Sequence, residues 1–332
     1  MSSVILSNIG MKRESKSYVD SVHAILAAAG LFGEPKYMLS GLSGMAFKWS
    51  VHERLLPLSV TAYGQWINEH GPGIDNLGVL TVMDGARSRL PSFCANQRDA
   101  LTAIRESLDR GVGVVYWLPE FGVVHGYDDE DRVLHVLDGG GGDGQIVLYD
   151  NIGVNFTPFF YWQTFGDAVA IDRREAVLES LRLAVQDWET PHKTLPNTDI
   201  GSGRLAYRFL IDGLLGGEYD EGGAVYIMDS YVYSRREIAL YLAAVAETLP
   251  GLDEPAAIYE ELAGMLTGME QCIADAGGCR RVIPQRVCEL ASLLQAAETL
   301  ENNAVERFRA IASRYPDRKR QTLPRWGTHT PR

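Results

Sequence analysis

The stretch from Arg98 to Gly144 constrains the fold more than any other part of the chain. Its first part carries apolar residues three and four positions apart, which predicts an amphipathic helix that ends at Gly111. The β-branched run 112–118 then predicts a buried strand. A short polar turn separates two further strand patterns, 121–127 and 132–137, and predicts an antiparallel hairpin. The apolar positions of the helix are Leu101, Ile104 and Leu108.

The second half of this stretch resembles the papain-like cysteine-peptidase domains. The residues that carry the resemblance are GVGVVYW at 111–117 and FGVVHGYDDEDRVLHVLD at 121–138. They are most similar to the bacteriocin-processing peptidases and to the N-terminal domain of the butirosin-biosynthesis acyltransferase. The resemblance implies an α+β fold with an antiparallel sheet. In that fold one strand carries the catalytic His, a Gly-Tyr-Asp turn follows, and the next strand ends in an Asp that orients the His.

The resemblance also implies a nucleophile at the N-terminus of the first long helix, which we predict over Val19–Ala29. A cysteine there has a lowered pKa because of the helix dipole. This chain has no cysteine at that place, and its nearest hydroxyl is Ser17. Ser17 is a candidate nucleophile only if a strong base lies beside it. Asp20 and His23 are candidate substrate contacts, while a helix cap is the commoner role of Ser17 or Asp20.

The catalytic His of the peptidases would fall near position 120, where this chain has Glu120. Strand alternation puts His125 on one face with Phe121 and Val123, opposite the face of Glu120. Asp138 occupies the place of the orienting acid. The alternative to thiol chemistry is therefore a carboxylate site, in which Glu120 and Asp138 share a cleft and one raises the pKa of the other.

A second informative segment, 39–52, contains two glycines and a Phe in the pattern of the butirosin-type domains. Gly41 and Gly44 permit a close approach of the backbone to a ligand. Phe47 is expected to form part of a pocket wall, and His52 and His125 are further candidate substrate contacts. No Lys-Ser or Lys-Thr pair follows the glycines, so a phosphate loop is not indicated.

The composition changes near Ala170, and the rest of the chain predicts a helical domain. The run Asp172–Glu175 has the pattern of a capping box that opens a helix. Gly-Gly and Pro-Gly pairs interrupt the later apolar patterns and mark helix ends. We therefore predict a bundle of about five helices. Their predicted ranges are 172–188, 203–215, 225–249, 255–276 and 284–315.

Two short motifs in this half, at Gly203–Tyr207 and Tyr231–Leu242, resemble the helical C-terminal half that is often joined to butirosin-type domains. The resemblance implies that Tyr231 and Arg235 reach a substrate in an interdomain cleft. Packing and ion pairs explain both residues equally well. The predicted organisation is a papain-like α+β domain over 1–169, an all-α helical bundle over 172–315, and a basic flexible tail over 316–332.

The net charge of −12 over 332 residues argues against nucleic acid as a partner. No apolar run approaches the length of a membrane span, and the N-terminus lacks the order of a secretory signal. The four cysteines have no metal-ligand spacing, and the Asp-Gly loop at 138–144 lacks the EF-hand pattern. We therefore expect a reduced, cytoplasmic protein with no metal and no cofactor.

Three functions remain open, and the sequence does not decide whether the chain is an enzyme. The first is small-molecule biosynthesis by acyl-transfer or amide-bond chemistry, with a small-molecule substrate and a carrier-protein-bound acyl group as partners. The second is a catalytically degenerate pseudoenzyme that binds a small molecule or peptide. The third is a carboxylate- or metal-based enzyme in the same cleft. The basic tail could also serve as an arm of a homo-oligomer.

Overall fold

A computed structural model describes the chain over 3–14, 16–57, 66–142, 144–193 and 198–317. In chain order its helices and strands are β1 (Ser3–Ile5), α1 (Ser17–Ala28), α2 (Lys36–Leu42), β2 (Ser50–His52), α3 (Trp66–Asp75), β3 (Val79–Arg87), α4 (Phe93–Asp109), β4 (Val114–Trp117), β5 (Phe121–Asp128), β6 (Val133–Leu137), β7 (Gln145–Leu148), β8 (Phe159–Ala168), α5 (Arg173–Glu189), β9 (Ile200–Ser202), α6 (Arg204–Gly216), α7 (Glu221–Val245), α8 (Asp253–Glu270), β10 (Ile273–Ala276), β11 (Cys279–Val282) and α9 (Val287–Ala312).

The chain forms two compact units that each combine two segments. The first unit joins Met1–Leu39 to Gly78–Ala170, and the second joins Ser40–Leu77 to Ile171–Arg332. The change at Ala170 agrees with the composition change in the sequence. The segment 40–77 lies within the range of the predicted domain 1–169, but it packs with the helical unit and not with the rest of that range. Most of the predicted tail 316–332 lies outside the described residues, which end at 317.

The first unit is built on a seven-stranded antiparallel sheet. Its strand order is β3-β8-β4-β5-β6-β7, and β1 pairs with the last three residues of β5. The predicted hairpin of β5 and β6 is present, with Tyr127 opposite Leu134. The register shifts by one residue between Val124 and Gly126, so His125 lies in an irregularity of the ladder. The predicted mixed α and β architecture, with an antiparallel sheet and C-terminal helices, is confirmed.

Two helices cover the two faces of this sheet. On one face α4 buries its predicted apolar stripe, including Ile104 and Leu108, against residues such as Val114 and Val124. Gly111 follows the end of α4 and has φ +81°. This is the left-handed conformation that commonly ends a helix and that glycine adopts at the lowest cost. On the other face α1 packs on β4 and β5. The ring centres of Tyr18 and Phe121 lie 5.3 Å apart there, in an edge-to-face arrangement. The start of α1 is therefore held at the end of β4 and the beginning of β5.

The second unit contains the predicted helices, with shifted ends. The start of the predicted helix at Asp172 is confirmed: Asp172 is the N-cap of α5, and its carboxylate accepts a hydrogen bond from the Arg174 N–H at 2.8 Å. The predicted helix 255–276 is wrong at its end: α8 stops at Glu270 and the chain forms the β10–β11 hairpin. Gly277 and Gly278 both have positive φ, as a two-residue hairpin turn requires, so the Gly-Gly pair marks a turn between strands.

The segment 40–77 joins the helical unit through a strand pair and through packing. Ser50 to His52 pair antiparallel with Ile200 to Ser202, which are about 150 residues distant in sequence. The ring of Phe47 packs edge-on against Tyr241 and Phe308. The second predicted domain is thus not purely helical. Within the described ranges no helix has the length and apolarity that a membrane crossing needs.

Replacing Gly41 with Ala tests how tightly α2 packs on α7. A Cβ at Gly41 would overlap the ring of Tyr241, a buried side chain with no room to move. We expect Gly41→Ala to lower the free energy of unfolding by about 1–3 kcal/mol in urea titrations. The control is Gly264→Ala, at an exposed position of α8 with open space around it. That change should stabilise by up to about 1 kcal/mol. Equal effects of the two changes would contradict the close packing.

Candidate functional site

Ser17 and Glu120, two of the predicted catalytic residues, are in direct contact. The Ser17 hydroxyl donates to Oε2 of Glu120 at 2.5 Å, a distance typical of an O–H donor on a carboxylate. It also accepts a hydrogen bond from the Phe121 N–H at 3.0 Å. Ser17 is completely buried and Glu120 is half-buried. Two residues that are 103 positions apart therefore form one polar centre at the N-terminus of α1.

The position of Ser17 in α1 excludes the helix-cap interpretation. The N-cap residue of α1 is Lys16, and no side chain caps the helix there. Ser17 is the first helical residue, where the backbone N–H groups of the first turn create a partial positive charge. That charge favours a carboxylate at this end, so the position of Glu120 is electrostatically favourable.

A buried hydrogen-bond network fixes the residue next to Ser17. The Tyr18 hydroxyl donates to Oε1 of Gln163 at 2.9 Å, and the Tyr161 hydroxyl donates to the same atom at 3.1 Å. The Gln163 amide in turn donates to Oγ1 of Thr81 at 2.9 Å. Burial raises the pKa of both tyrosines, so both remain neutral donors. The network ties α1 to β8 and β3 and leaves Ser17 little freedom to shift.

Asp20 forms an ion pair with Lys36, which begins α2, and accepts a backbone hydrogen bond from Glu14, which precedes α1. Nζ of Lys36 lies 2.7 Å from Oδ1 of Asp20 and 2.7 Å from Oε2 of Glu14. The Glu14 N–H donates to Oδ2 of Asp20 at 2.8 Å. His23, one turn further along α1, is half-buried and its Nε2 lies 3.3 Å from the carbonyl oxygen of Glu34. Burial lowers the pKa of His23, which favours a neutral ring.

Asp138 is bonded within its own loop. Its Oδ1 accepts a hydrogen bond from the Gly140 N–H at 2.8 Å, and its Oδ2 accepts one from the Gln145 amide at 2.8 Å. These two hydrogen bonds lower the pKa of Asp138. Asp138 is therefore an ionised residue that shapes the turn between β6 and β7. The predicted carboxylate site, in which Glu120 and Asp138 share a cleft, would instead raise the pKa of one of the two. The lowered pKa of Asp138 is the opposite of that expectation.

His125 lies beside β1. Its backbone carbonyl accepts a hydrogen bond from the Leu6 N–H at 2.8 Å, and its ring centre is 6.3 Å from that of His135. Burial lowers the pKa of His125, and the proximity of His135 acts in the same direction. The register shift at this position means that simple alternation along β5 does not assign the face of His125.

The other candidate contacts belong to the second unit, where each has a packing or turn role. Gly44 has φ +77° in the turn after α2, and Phe47 is a core residue. His52 is buried: its Nδ1 accepts a hydrogen bond from the Arg54 N–H at 3.0 Å, and its Nε2 lies 3.2 Å from Oδ2 of Asp199. Both ring nitrogens are thus occupied, and the first bond fixes Nε2 as the protonated nitrogen of the neutral ring.

Tyr231 and Arg235 are brought together in a buried network around Glu301. Nη2 of Arg235 lies 2.8 Å from Oε2 of Glu301, and the guanidinium carbon lies 4.4 Å from the centre of the Tyr231 ring. The hydroxyls of Tyr207 and Tyr259 donate to the same carboxylate at 2.5 and 2.7 Å. Arg235 is only 1% exposed, so this network belongs to the helical core.

A second buried ionic cluster was not predicted from the sequence. Lys48 contacts Glu69, and Lys193 contacts Asp187, and all four side chains are buried. Burial lowers the pKa of Lys193 to about 7, although the nearby Glu69 raises it. The sequence did contain one signal for this cluster. Lys48 lies within an apolar, strand-like pattern, and a charged residue in such a run indicates a buried ion pair.

The second unit also has a surface cavity of about 610 Å³ along α6, which the sequence did not indicate. Both charge signs line it, among them Arg54, Arg208 and Asp212. The four cysteines are free thiols: three are exposed, and burial raises the pKa of Cys272. Across the described ranges no group of three or more His, Cys, Asp or Glu side chains is placed to hold a metal ion.

Comparison with known proteins identified no relative of this chain. No family model matches the sequence, and no curated protein matches it. Functional inference for this chain therefore depends on the chemistry of its own residues. In the described part of the first unit, the contact between Ser17 and Glu120 places a hydroxyl directly beside a carboxylate.

The structural role of Asp138 has a consequence for stability at acid pH. A carboxylate with a lowered pKa in the folded protein contributes stability above its ordinary pKa and loses it as the pH falls through the folded value. We expect Asp138→Asn to be less stable than the wild type at pH 6, with a difference that shrinks toward pH 2. Urea midpoints over this pH range measure it.

A second variant, Gln145→Leu, tests the cause of the effect, because it removes one of the two hydrogen-bond donors to Asp138. It should give the same trend with a smaller amplitude. A difference between wild type and Asp138→Asn that stays constant from pH 6 to pH 2 would contradict the assignment.

Proposed function

We propose that this chain is an acyl-transfer enzyme on a papain-like fold, in which Ser17 and Glu120 replace the usual thiol and imidazole. The observation that carries the proposal is the 2.5 Å contact between the Ser17 hydroxyl and the Glu120 carboxylate at the N-terminus of α1. The packing of α1 on β4 and β5, with the β5–β6 hairpin beside it, supports the papain-like interpretation.

The chemistry follows from a hydroxyl next to a carboxylate. The Ser17 oxygen attacks the substrate carbonyl while its proton passes to Oε2 of Glu120. The carbon–sulfur bond of a thioester then breaks, and protonated Glu120 gives its proton to the leaving thiolate. An amine then attacks the carbonyl carbon of the Ser17 ester and loses its proton to Glu120. The bond between that carbon and the Ser17 oxygen breaks, protonated Glu120 returns the proton to this oxygen, and the acyl group leaves as an amide.

A carboxylate is a weak base for a serine hydroxyl, and this limits the substrate. The mechanism needs an acyl group with a good leaving group, which favours a carrier-bound thioester over an amide. Ser17 is completely buried, so the thioester and the amine reach it only after a local opening of the surrounding chain. The partners in this proposal are a carrier-bound acyl thioester and a small-molecule amine.

A second candidate is the catalytically silent protein that binds a small molecule or peptide. It is favoured by the saturation of the Ser17 hydroxyl, which donates to Glu120 and accepts from the Phe121 N–H inside the protein. In that case the contact only stabilises the fold. The carboxylate-based alternative has less support, since both oxygens of Asp138 are bonded within its loop.

The proposal is tested by incubating the protein with the butyryl thioester of N-acetylcysteamine and measuring the intact mass. We expect one butyryl adduct, on the tryptic peptide 17–36, which begins at Ser17. Ser17→Ala should abolish the adduct, and Glu120→Gln should slow its formation about 100-fold or more. Ser17→Cys should still form it and should become sensitive to iodoacetamide.

The matched control is Ser107→Ala, which removes a buried hydroxyl elsewhere in the first unit, one that donates to the Val112 carbonyl oxygen. This variant should be acylated as the wild type is. An adduct that persists in Ser17→Ala would place the nucleophile elsewhere. Absence of an adduct from the wild type and from Ser17→Cys would favour the binding protein.

A further inference from the structure

The residues that lead into α1 form a strap across its first turn. We define the strap as Leu6–Glu14, the connection between β1 and the turn that precedes α1. The Arg13 N–H donates to the carbonyl oxygen of Gly139 at 3.1 Å, so the strap is tied to the loop after β6. The Ser21 hydroxyl contacts the sulfur of Met11 at 3.6 Å, which places the strap against the helix turn that begins at Ser17.

One lysine joins the end of the strap to α1. Nζ of Lys36 lies 2.7 Å from a carboxylate oxygen of Glu14 and 2.7 Å from one of Asp20. The other oxygen of Asp20 accepts the hydrogen bond of the Glu14 N–H at 2.8 Å. Asp20 therefore holds the strap twice, once through Lys36 and once through the backbone.

These groups are shielded from solvent to different degrees. The Asp20 side chain has no exposed surface and that of Lys36 is 14% exposed, so solvent screens the attraction between them weakly. The Glu14 side chain is 28% exposed, so its attraction to Lys36 is screened more, while its backbone N–H is held by the buried Asp20 carboxylate. Lys12 also contacts Glu14, at 2.8 Å, but its side chain is 81% exposed. A pair that exposed contributes little to holding a segment in place.

We propose that the strap closes Ser17 off from substrate and that Lys36 is the latch that keeps it closed. This inference rests on the proposed function, since it supplies the access step that a completely buried nucleophile requires. Opening means that Glu14 leaves Lys36 and the Asp20 carboxylate while α1 and the sheet stay folded. An acyl carrier that presents a cation to Glu14, or an anion to Lys36, would open the strap as it docks.

The latch is tested by amide hydrogen exchange with residue resolution, a readout that does not depend on any reaction of Ser17. In Lys36→Met the amides of Arg13 and Glu14 should exchange about tenfold faster than in the wild type. The amides of β5 should keep their wild-type rates. Lys12→Met is the matched control, because it removes the exposed partner of the same Glu14, and it should leave the strap unchanged.

Lys36→Met leaves Asp20 buried without this partner, so Glu14→Gln provides a second test. It keeps the contact of Lys36 with Asp20 and weakens only the tie to the strap. We expect its Arg13 and Glu14 amides to exchange severalfold faster. Unchanged strap exchange in Glu14→Gln and in folded Lys36→Met, or equal acceleration in Lys12→Met, would overturn the latch.

A second arm separates the latch from the proposed function. The same variants are incubated with the butyryl thioester, and the rate of adduct formation on the Ser17 peptide is measured. Faster exchange together with faster acylation supports both proposals. Faster exchange in a protein that never forms the adduct supports a mobile strap but removes the acyl-transfer function, and the strap then has no gating role.

Discussion

The hydrogen bond from the Ser17 hydroxyl to the half-buried Glu120 carboxylate connects two parts of the first unit that are 103 residues apart in sequence. Ser17 begins α1, and Glu120 stands in the turn that leads from β4 into β5. The N–H of Phe121 completes the set by donating to the same hydroxyl. Loss of the Glu120 carboxylate leaves the buried Ser17 hydroxyl without this acceptor, which costs about 1–3 kcal/mol. The same contact places a nucleophilic atom beside a proton acceptor.

The second unit depends on buried charge in a different way. Glu301 is surrounded by Arg235 and by two tyrosine hydroxyls, so its charge is neutralised and its oxygens are satisfied. Such a network fixes one arrangement of α6, α7, α8 and α9, because any shift would separate a buried carboxylate from its donors. Its net contribution to stability is smaller than the number of bonds suggests, since both charges were removed from water.

The sequence predicted the order α4, β4, β5, β6 because each element has its own short-range signal: a helical period, a β-branched run, and a polar turn between strands. It also predicted that Ser17 and Glu120 belong to one site, but only through the resemblance to papain-like domains. It could not predict that Lys36 reaches Asp20, since an ion pair across 16 residues has no periodic signature. The register shift at His125 also has no periodic signature, so the sequence did not predict it.

The placement of 40–77 shows a further limit. It joins the helical unit partly through three paired residues, 50–52, whose partners at 200–202 have an equally short pattern. Arginine is seldom buried, so the sequence suggested a surface or substrate-contacting role for Arg235. Its buried position is explained by its partner Glu301 and by the ring of Tyr231. Long-range pairing and the burial of charged groups are properties of the folded chain as a whole. Local patterns do not record them.

The measurement that tests the account most directly is a double-mutant cycle on the free energy of unfolding, with Ser17→Ala, Glu120→Ala and the combined variant. The cycle cancels the other contacts of each residue and leaves the energy of the contact itself. We expect a coupling of about 1.5–3 kcal/mol, as for a hydrogen bond to a charged group. Effects that add within about 0.5 kcal/mol would contradict the contact on which both the fold of the first unit and the proposed chemistry depend.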